Sequence, residues 1–220
     1  MSDEQQKSVG RRTLLAGMGV MAAAGLATGS SPASAQTPSS GFQPARHDQD
    51  KWMDELPGNH RVFVDSSTTT GGGSALWYAN NIISAHEEAY DGKASDYAMI
   101  VCFRHMSTPY GFNDAIWAKY GALLNRNADP APTSNPMSQP GPTNGGNSIA
   151  SSVERGMHFA ICGRATRRFA GMLAQATNGS ADEIYAELLA NGIPNSHFVA
   201  AGVLAATRAQ EYRYSLLYAE

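Results

Sequence analysis

Between residues 60 and 218 the chain alternates two hydrophobic rhythms. Short runs rich in β-branched and aromatic residues read as strands: Arg61-Val62-Phe63-Val64, Tyr97 to Phe103, Met157 to Cys162, His197 to Ala200 and Tyr214 to Tyr218. The run Tyr97-Ala98-Met99-Ile100-Val101-Cys102-Phe103 is apolar almost throughout, as a strand buried on both faces must be. Other segments repeat apolar residues at helical spacing. Ser74 to Tyr90 gathers Leu76, Ala79, Ile82 and Ile83 on one face, and Asn113 to Leu124 gathers Ile116, Trp117, Tyr120 and Leu123. Shorter helices are expected over 149–155, 167–176, 180–190 and 203–212, with Ser180 opening one and Asp182 and Glu183 at its positive end. Strands alternating with helices predict a parallel sheet. Right-handed crossovers make it a three-layer α/β/α domain with a parallel five-stranded sheet.

Three stretches fall outside this rhythm. Residues 68–73, Thr-Thr-Thr-Gly-Gly-Gly, read as a loop. Residues 125–147 form a long excursion rich in Pro, Gly, Asn and Ser, of the kind that is functional or disordered more often than packed. Residues 36–58 are polar and read as an N-terminal arm or linker that Trp52 and Leu56 can pin to the body. That leaves 59–220 as a single α/β domain.

The front end has its own pattern. Arg11-Arg12 precedes a mildly apolar, Gly- and Ala-rich stretch from Leu14 to Ala27, and Ala33-Ser34-Ala35 follows. A charged start, a short apolar region and an A-x-A site make residues 1–35 a signal peptide, and the arginine pair gives it the twin-arginine character. The expected location is the periplasm, with no membrane association after cleavage. The alternative for the same residues is a retained anchor helix, for which the apolar stretch is short.

Composition then excludes several classes. The 220 residues carry 16 Lys+Arg against 19 Asp+Glu, with 42% hydrophobic and 16% charged residues. That is too apolar for a disordered chain and lacks the basic footprint of a nucleic-acid binder. Two cysteines cannot build a disulfide scaffold or a four-cysteine zinc site, and the six histidines hold no H-x-x-x-H pair. No metal and no cofactor is expected. G-x-x-x-x-G-K-[ST], G-x-G-x-x-G and G-x-S-x-G are all absent, which disfavours ATP, dinucleotide and α/β-hydrolase sites.

In open parallel sheets ligands bind beyond the carboxyl ends of the strands. That rule selects Asp65, Ser66, Ser67 and Thr68 after the first strand, Arg104 and His105 after the second, Cys162, Gly163 and Arg164 after the third, and Gly202 after the fourth. Ser66, Ser67, Thr68, Arg104, Gly163 and Gly202 are candidate ligand contacts. His158 enters the third strand and falls at the opposite end. Cys162 is the sharpest candidate: it ends a strand, and Arg164, Arg167 and Arg168 follow closely, a setting that favours a nucleophilic thiolate. The competing reading is an inert buried thiol. Cys102 lies deeper in its apolar strand. A Cys102–Cys162 disulfide is open in an oxidising compartment, provided the strands are neighbours in matched register. His105 is a candidate acid/base group, and the cluster Arg164, Arg167, Arg168 either reads a phosphate or sulfur oxyanion or forms a solvated helix face.

The stretch Met157-His158-Phe159-Ala160-Ile161-Cys162-Gly163, a following helix, Ile193-Pro194, Val199-Ala200-Ala201-Gly202-Val203-Leu204-Ala205 and the closing Tyr214-Ser215-Leu216-Leu217-Tyr218 resemble the DsrE/DsrF-like sulfur-relay superfamily. The segment Phe112 to Tyr120 is similar to what its exported, twin-arginine-signalled branch carries. The resemblance spans about residues 60–220 and implies a DsrEFH-like three-layer sheet, often oligomeric. It also implies that the second and third strands are neighbours, which keeps the disulfide open. By position, only Cys162 matches the cysteine that carries a persulfide between partner proteins. The expected function is sulfane sulfur binding or relay on Cys162, with His105 and Arg164 assisting. Expected partners are a small anion or sulfane sulfur donor, a second copy of the chain, or a partner redox protein. The alternative is a non-catalytic anion-binding protein, or a structural subunit of a periplasmic redox complex, with structural cysteines.

Overall fold

A computed structural model describes Gly41 and residues 43–220. The signal-peptide reading of residues 1–35 lies outside the described residues. Residues 43–220 form one compact unit. Its sheet has five parallel strands in the order β4-β3-β2-β1-β5. They are β1 (His60–Ser66), β2 (Tyr97–Phe103), β3 (His158–Cys162), β4 (Ser196–Val199) and β5 (Ser215–Ala219). The helices are α1 (Lys51–Glu55), α2 (Thr69–Tyr90), α3 (Asp114–Leu124), α4 (Ile149–Glu154), α5 (Gly163–Thr177), α6 (Ala181–Ala190) and α7 (Gly202–Glu211). The three-layer α/β/α expectation from the sequence is met.

Side-chain alternation along the strands divides the core in two. Val64, Met99, Val101, Phe103, Phe159 and Ile161 face one side and pack with α2, α3 and α5. Phe63, Ala98, Ile100, Cys102, Ala160 and Val199 face the other, under the small residues Ala205, Ala206 and Ala209 of α7 and against Met53 and Leu56 of the N-terminal arm. Asp65 belongs to this second face, two residues beyond Phe63 and opposite Cys102 in the register.

The arm is bound into this second core. Met53 is fully buried, and its carbonyl accepts from the Tyr214 hydroxyl at 2.6 Å and from Arg61 Nη1 at 2.9 Å. Trp52 stacks on His197 with ring centres 3.8 Å apart. His197 Nε2 lies 3.2 Å from His158 Nδ1. Burial lowers the His158 pKa, and burial with the neighbouring His158 lowers that of His197 to about 4.

Two local readings change in the fold. The Thr68–Gly73 stretch is not a loop: Thr68 caps α2, its Oγ1 accepting from the Gly71 amide at 2.8 Å, and the glycines form the first turn. A Cβ on Gly71 would lie 2.5 Å from the Ala219 carbonyl oxygen, so the helix starts where only a bare backbone can pass. The 125–147 excursion is packed. Met137 is buried in the core, and the buried Asn135 donates to the carbonyls of Tyr110 and Phe112, both at 2.8 Å.

Candidate functional site

The connection pattern sets the place of the cleft. β1, β2, β3 and β4 follow one another across the sheet, with α2, α3 and α5 packed on one face. The chain then returns to the other edge through α7 on the opposite face. The helices leaving the adjacent strands β3 and β4 therefore diverge to opposite faces, and a crevice opens at their carboxyl ends. A cleft of about 310 Å³ lies there, lined by Cys162, Arg164 and Arg168 from β3 and α5, Arg104 and His105 from the end of β2, and Val203 from α7. Cys162, His105 and Arg164, selected from the sequence as the chemical residues, share this one cleft.

Cys162 is the N-cap of α5. Its Sγ accepts from the Ala165 amide at 3.5 Å, and its carbonyl accepts from Thr166 Oγ1 at 3.0 Å. The side chain is 7% exposed at the cleft floor, and the positive end of the helix points at the sulfur. The cap arises because α5 starts at Gly163, four residues before the apolar periodicity becomes visible at Arg167. Gly163 permits that early start: a Cβ there would lie 2.8 Å from the Val199 carbonyl oxygen.

The arginines behind Cys162 divide by helical phase. Arg167 turns to α6, its Nη1 2.6 Å from Asp182 Oδ1 and its guanidinium 3.6 Å above the Tyr185 ring. Arg164 and Arg168, one turn apart, both face the cleft and are exposed. Among the described residues neither has a carboxylate partner within ion-pair distance.

Arg104 is held from beneath. Its Nε donates to Asp65 Oδ1 at 2.9 Å and its Nη2 to Asp65 Oδ2 at 2.8 Å. This bond to the buried carboxylate raises the Arg104 pKa. Gly202 leaves room above it, since a Cβ there would lie 2.6 Å from Arg104 Cβ. The next residue, His105, has a left-handed backbone (φ 53°), a strained conformation for a residue with a side chain. Bonds on both sides hold it: Arg104 N–H to the Ser66 carbonyl at 3.2 Å and Met106 N–H to the Ser67 carbonyl at 2.9 Å.

The remaining sequence candidates serve the fold. The buried Ser66 hydroxyl donates to the Cys102 carbonyl at 2.7 Å. Ser67 Oγ lies 2.6 Å from the Tyr218 hydroxyl, and Thr68 caps α2. None of the three lines the cleft. Gly163 and Gly202 act through close backbone approach. Cys102 and Cys162 are unbonded. The register explains why: Cys102 lies opposite Ala160, so Cys162 is offset by two residues along the neighbouring strand. Strand spacing and rise put their Cα atoms about 8 Å apart, beyond disulfide reach without backbone movement. Burial pushes the Cys102 thiol pKa well up, and the adjacent Asp65 carboxylate pushes it further.

No protein-family model matches the chain, and no curated protein matches it either.

Two residues are named in the sequence without the part their position gives them. Asp65 is selected there only as one of the residues beyond the first strand, and the signal that sets it apart is a lone carboxylate at an inward position of an apolar strand. Arg168 was read only as one of a run, and the i, i+4 spacing to Arg164 is what sets it apart from Arg167. Among the described residues no group of three His, Cys, Asp or Glu is placed to hold a metal ion, and no helix is long and apolar enough to cross a membrane.

Proposed function

We propose that this chain is an exported, DsrE-like protein that takes sulfane sulfur onto Cys162 as a persulfide. The observation that carries the reading is the placement of the Cys162 sulfur. It sits at a helix N-terminus on the floor of a cleft that also receives His105, Arg104 and Arg164. A thiol needs a proton acceptor, and His105 is the imidazole in the cleft. A sulfane donor leaves as an anion, and the arginines offer charge-assisted hydrogen bonds to it. Cys102 has no part in the chemistry: it is fully buried, and its thiol is held protonated by burial and by Asp65. In the reaction the Cys162 sulfur attacks the sulfane sulfur of the donor, the donor's own bond to that sulfur breaks, and the leaving group departs with the electron pair. The Cys162 proton passes through His105 to the new terminal sulfur.

The test is intact mass of the purified protein, starting near residue 36, before and after a sulfane sulfur donor. The expected result is a gain of one sulfur, removable by reductant, that maps to Cys162 and persists in Cys102→Ser but is lost in Cys162→Ser. Equal sulfur uptake by both variants, or by neither, would refute the assignment. A ligand-induced thermal stabilisation that survives loss of both thiols, without sulfur gain, would instead make the cleft a simple anion-binding site.

A further inference from the structure

We infer that the cleft is built for a dianionic donor whose sulfane sulfur is bonded to a sulfur oxyanion, the thiosulfate class, and that Arg168 is the residue that selects the second negative charge. This rests on the persulfide reading above and specifies its substrate. The argument is one of charge balance. Of the three guanidinium groups lining the cleft, Arg104 is neutralised by the three short contacts from its Nε and Nη2 to Asp65. Among the described residues Arg164 and Arg168 have no carboxylate partner and no acidic side chain lines the cleft. Two positive charges thus remain beside one thiol. Arg167, which lies between them in sequence, turns instead to Asp182 and the Tyr185 ring and does not line this cleft. The side of the cleft towards α7, at Ala201 and Val203, is apolar and offers no side-chain hydrogen bond to a long polar substrate. A compact donor with its charge gathered in one head fits both features.

The step balances without an outside reagent. The Cys162 thiol attacks the terminal sulfur of thiosulfate. The sulfur–sulfur bond of thiosulfate breaks, and sulfite leaves with the bonding pair as a dianion. The thiol proton reaches the persulfide through His105. Arg164 and Arg168 hold the oxyanion head before and after transfer, so its charge never moves far from them.

The experiment compares thiosulfate with methanethiosulfonate, which presents the same sulfonyl-bound sulfur but one negative charge fewer. Single-turnover persulfide formation on Cys162 is followed by intact mass, with sulfite measured in parallel, in wild type, Arg168→Ala, Arg168→Lys and, as a remote exposed control, Arg126→Ala. In wild type, thiosulfate should half-saturate at about a tenfold lower concentration than methanethiosulfonate, as expected for one added charge-assisted contact. Arg168→Ala should erase most of that preference by raising the half-saturating thiosulfate concentration, with the limiting rate little changed. Arg168→Lys should restore part of it, and Arg126→Ala should match wild type. An unchanged preference in Arg168→Ala, or sulfur uptake from methanethiosulfonate but not thiosulfate, overturns the inference and leaves the persulfide reading standing. No uptake from either donor overturns both. Arg168→Gln serves as a second variant if circular dichroism shows the alanine variant misfolded.

Discussion

Replacing Asp65 with Asn tests whether Arg104 is positioned or merely adjacent. The carboxylate is 8% exposed and the guanidinium 22%, and they meet at 2.8 Å. Breaking a buried ion pair costs about 3–5 kcal/mol, mostly from the charge left behind. Arg104 keeps a path to solvent, so part of that charge can be rehydrated, and a loss of about 2–3 kcal/mol is expected. In a domain of this size that lowers Tm by roughly 5–10 °C. The assay is urea unfolding followed by tryptophan fluorescence, run as a double-mutant cycle with Asp65→Asn and Arg104→Gln. A coupling of about 2 kcal/mol should emerge, because the double variant removes both charges together. The Asn variant should also take up sulfur more slowly, since Arg104 would no longer be fixed under Gly202. A coupling below about 0.5 kcal/mol would refute the reasoning, as it would mean the contacts are no stronger than an exposed pair.

Three further outcomes are expected. Under native conditions iodoacetamide should modify Cys162 at least about ten times faster than Cys102, whose thiol is fully buried and shifted away from the thiolate, and peptide mapping that finds equal labelling would contradict the burial argument. Folded-state His197 is held neutral down to about pH 4, so the folded chain binds fewer protons than the unfolded one below about pH 6.5. Stability should therefore fall as pH drops from about 6.5 to 4, by about 1–2 kcal/mol after allowing for the ring's partial exposure, and His197→Gln should lack that component in unfolding curves. Gly202→Val should cost about 1–3 kcal/mol and slow sulfur uptake, because its side chain would occupy the space of Arg104; wild-type uptake in that variant would show that Arg104 need not be where it is.

The sheet was legible because its strands obey simple rules. β2 begins at Tyr97 and ends at Phe103, the bounds of the apolar run, and α3 starts after Asn113, whose Oδ1 accepts from the amides of Ala115 and Ile116. The helix starts were harder. α2 opens through three glycines, which local propensity reads as a loop. Their reason is tertiary, since Gly72 faces the Tyr110 ring and Gly71 faces Ala219. α5 opens through Gly163 and Arg164, where no apolar periodicity exists to mark it. Reading the start at residue 167 hides the fact that Cys162 is a cap. At the site, the rule of strand carboxyl ends found Cys162, Arg104, His105 and Arg164. It also collected Ser66, Ser67 and Thr68, because it cannot tell a free hydroxyl from one already bonded inside the fold. The Asp65–Arg104 pair spans 39 residues and depends on strand register, which no local pattern carries. The same holds for Met53, a core residue in a segment whose polarity reads as a linker.

The Tyr214–Met53 bond bears on the order in which the molecule can be assembled. It joins positions 161 residues apart, and Arg46 of the same arm lies 3.9 Å from the centre of the Tyr212 ring. β1 pairs with β2 on one side and with β5 on the other. Until residues 212–219 have been made, β1 is an open edge, and the arm that precedes it lacks its contacts with Tyr212 and Tyr214. During synthesis the α2–α5 face of the sheet can close early. The α7 face, with Cys102 and Asp65 beneath it, stays wet until the end. Contacts this distant in sequence form slowly. Closure of that second core therefore depends on contacts between the N-terminal arm and residues 212–214, far apart along the chain.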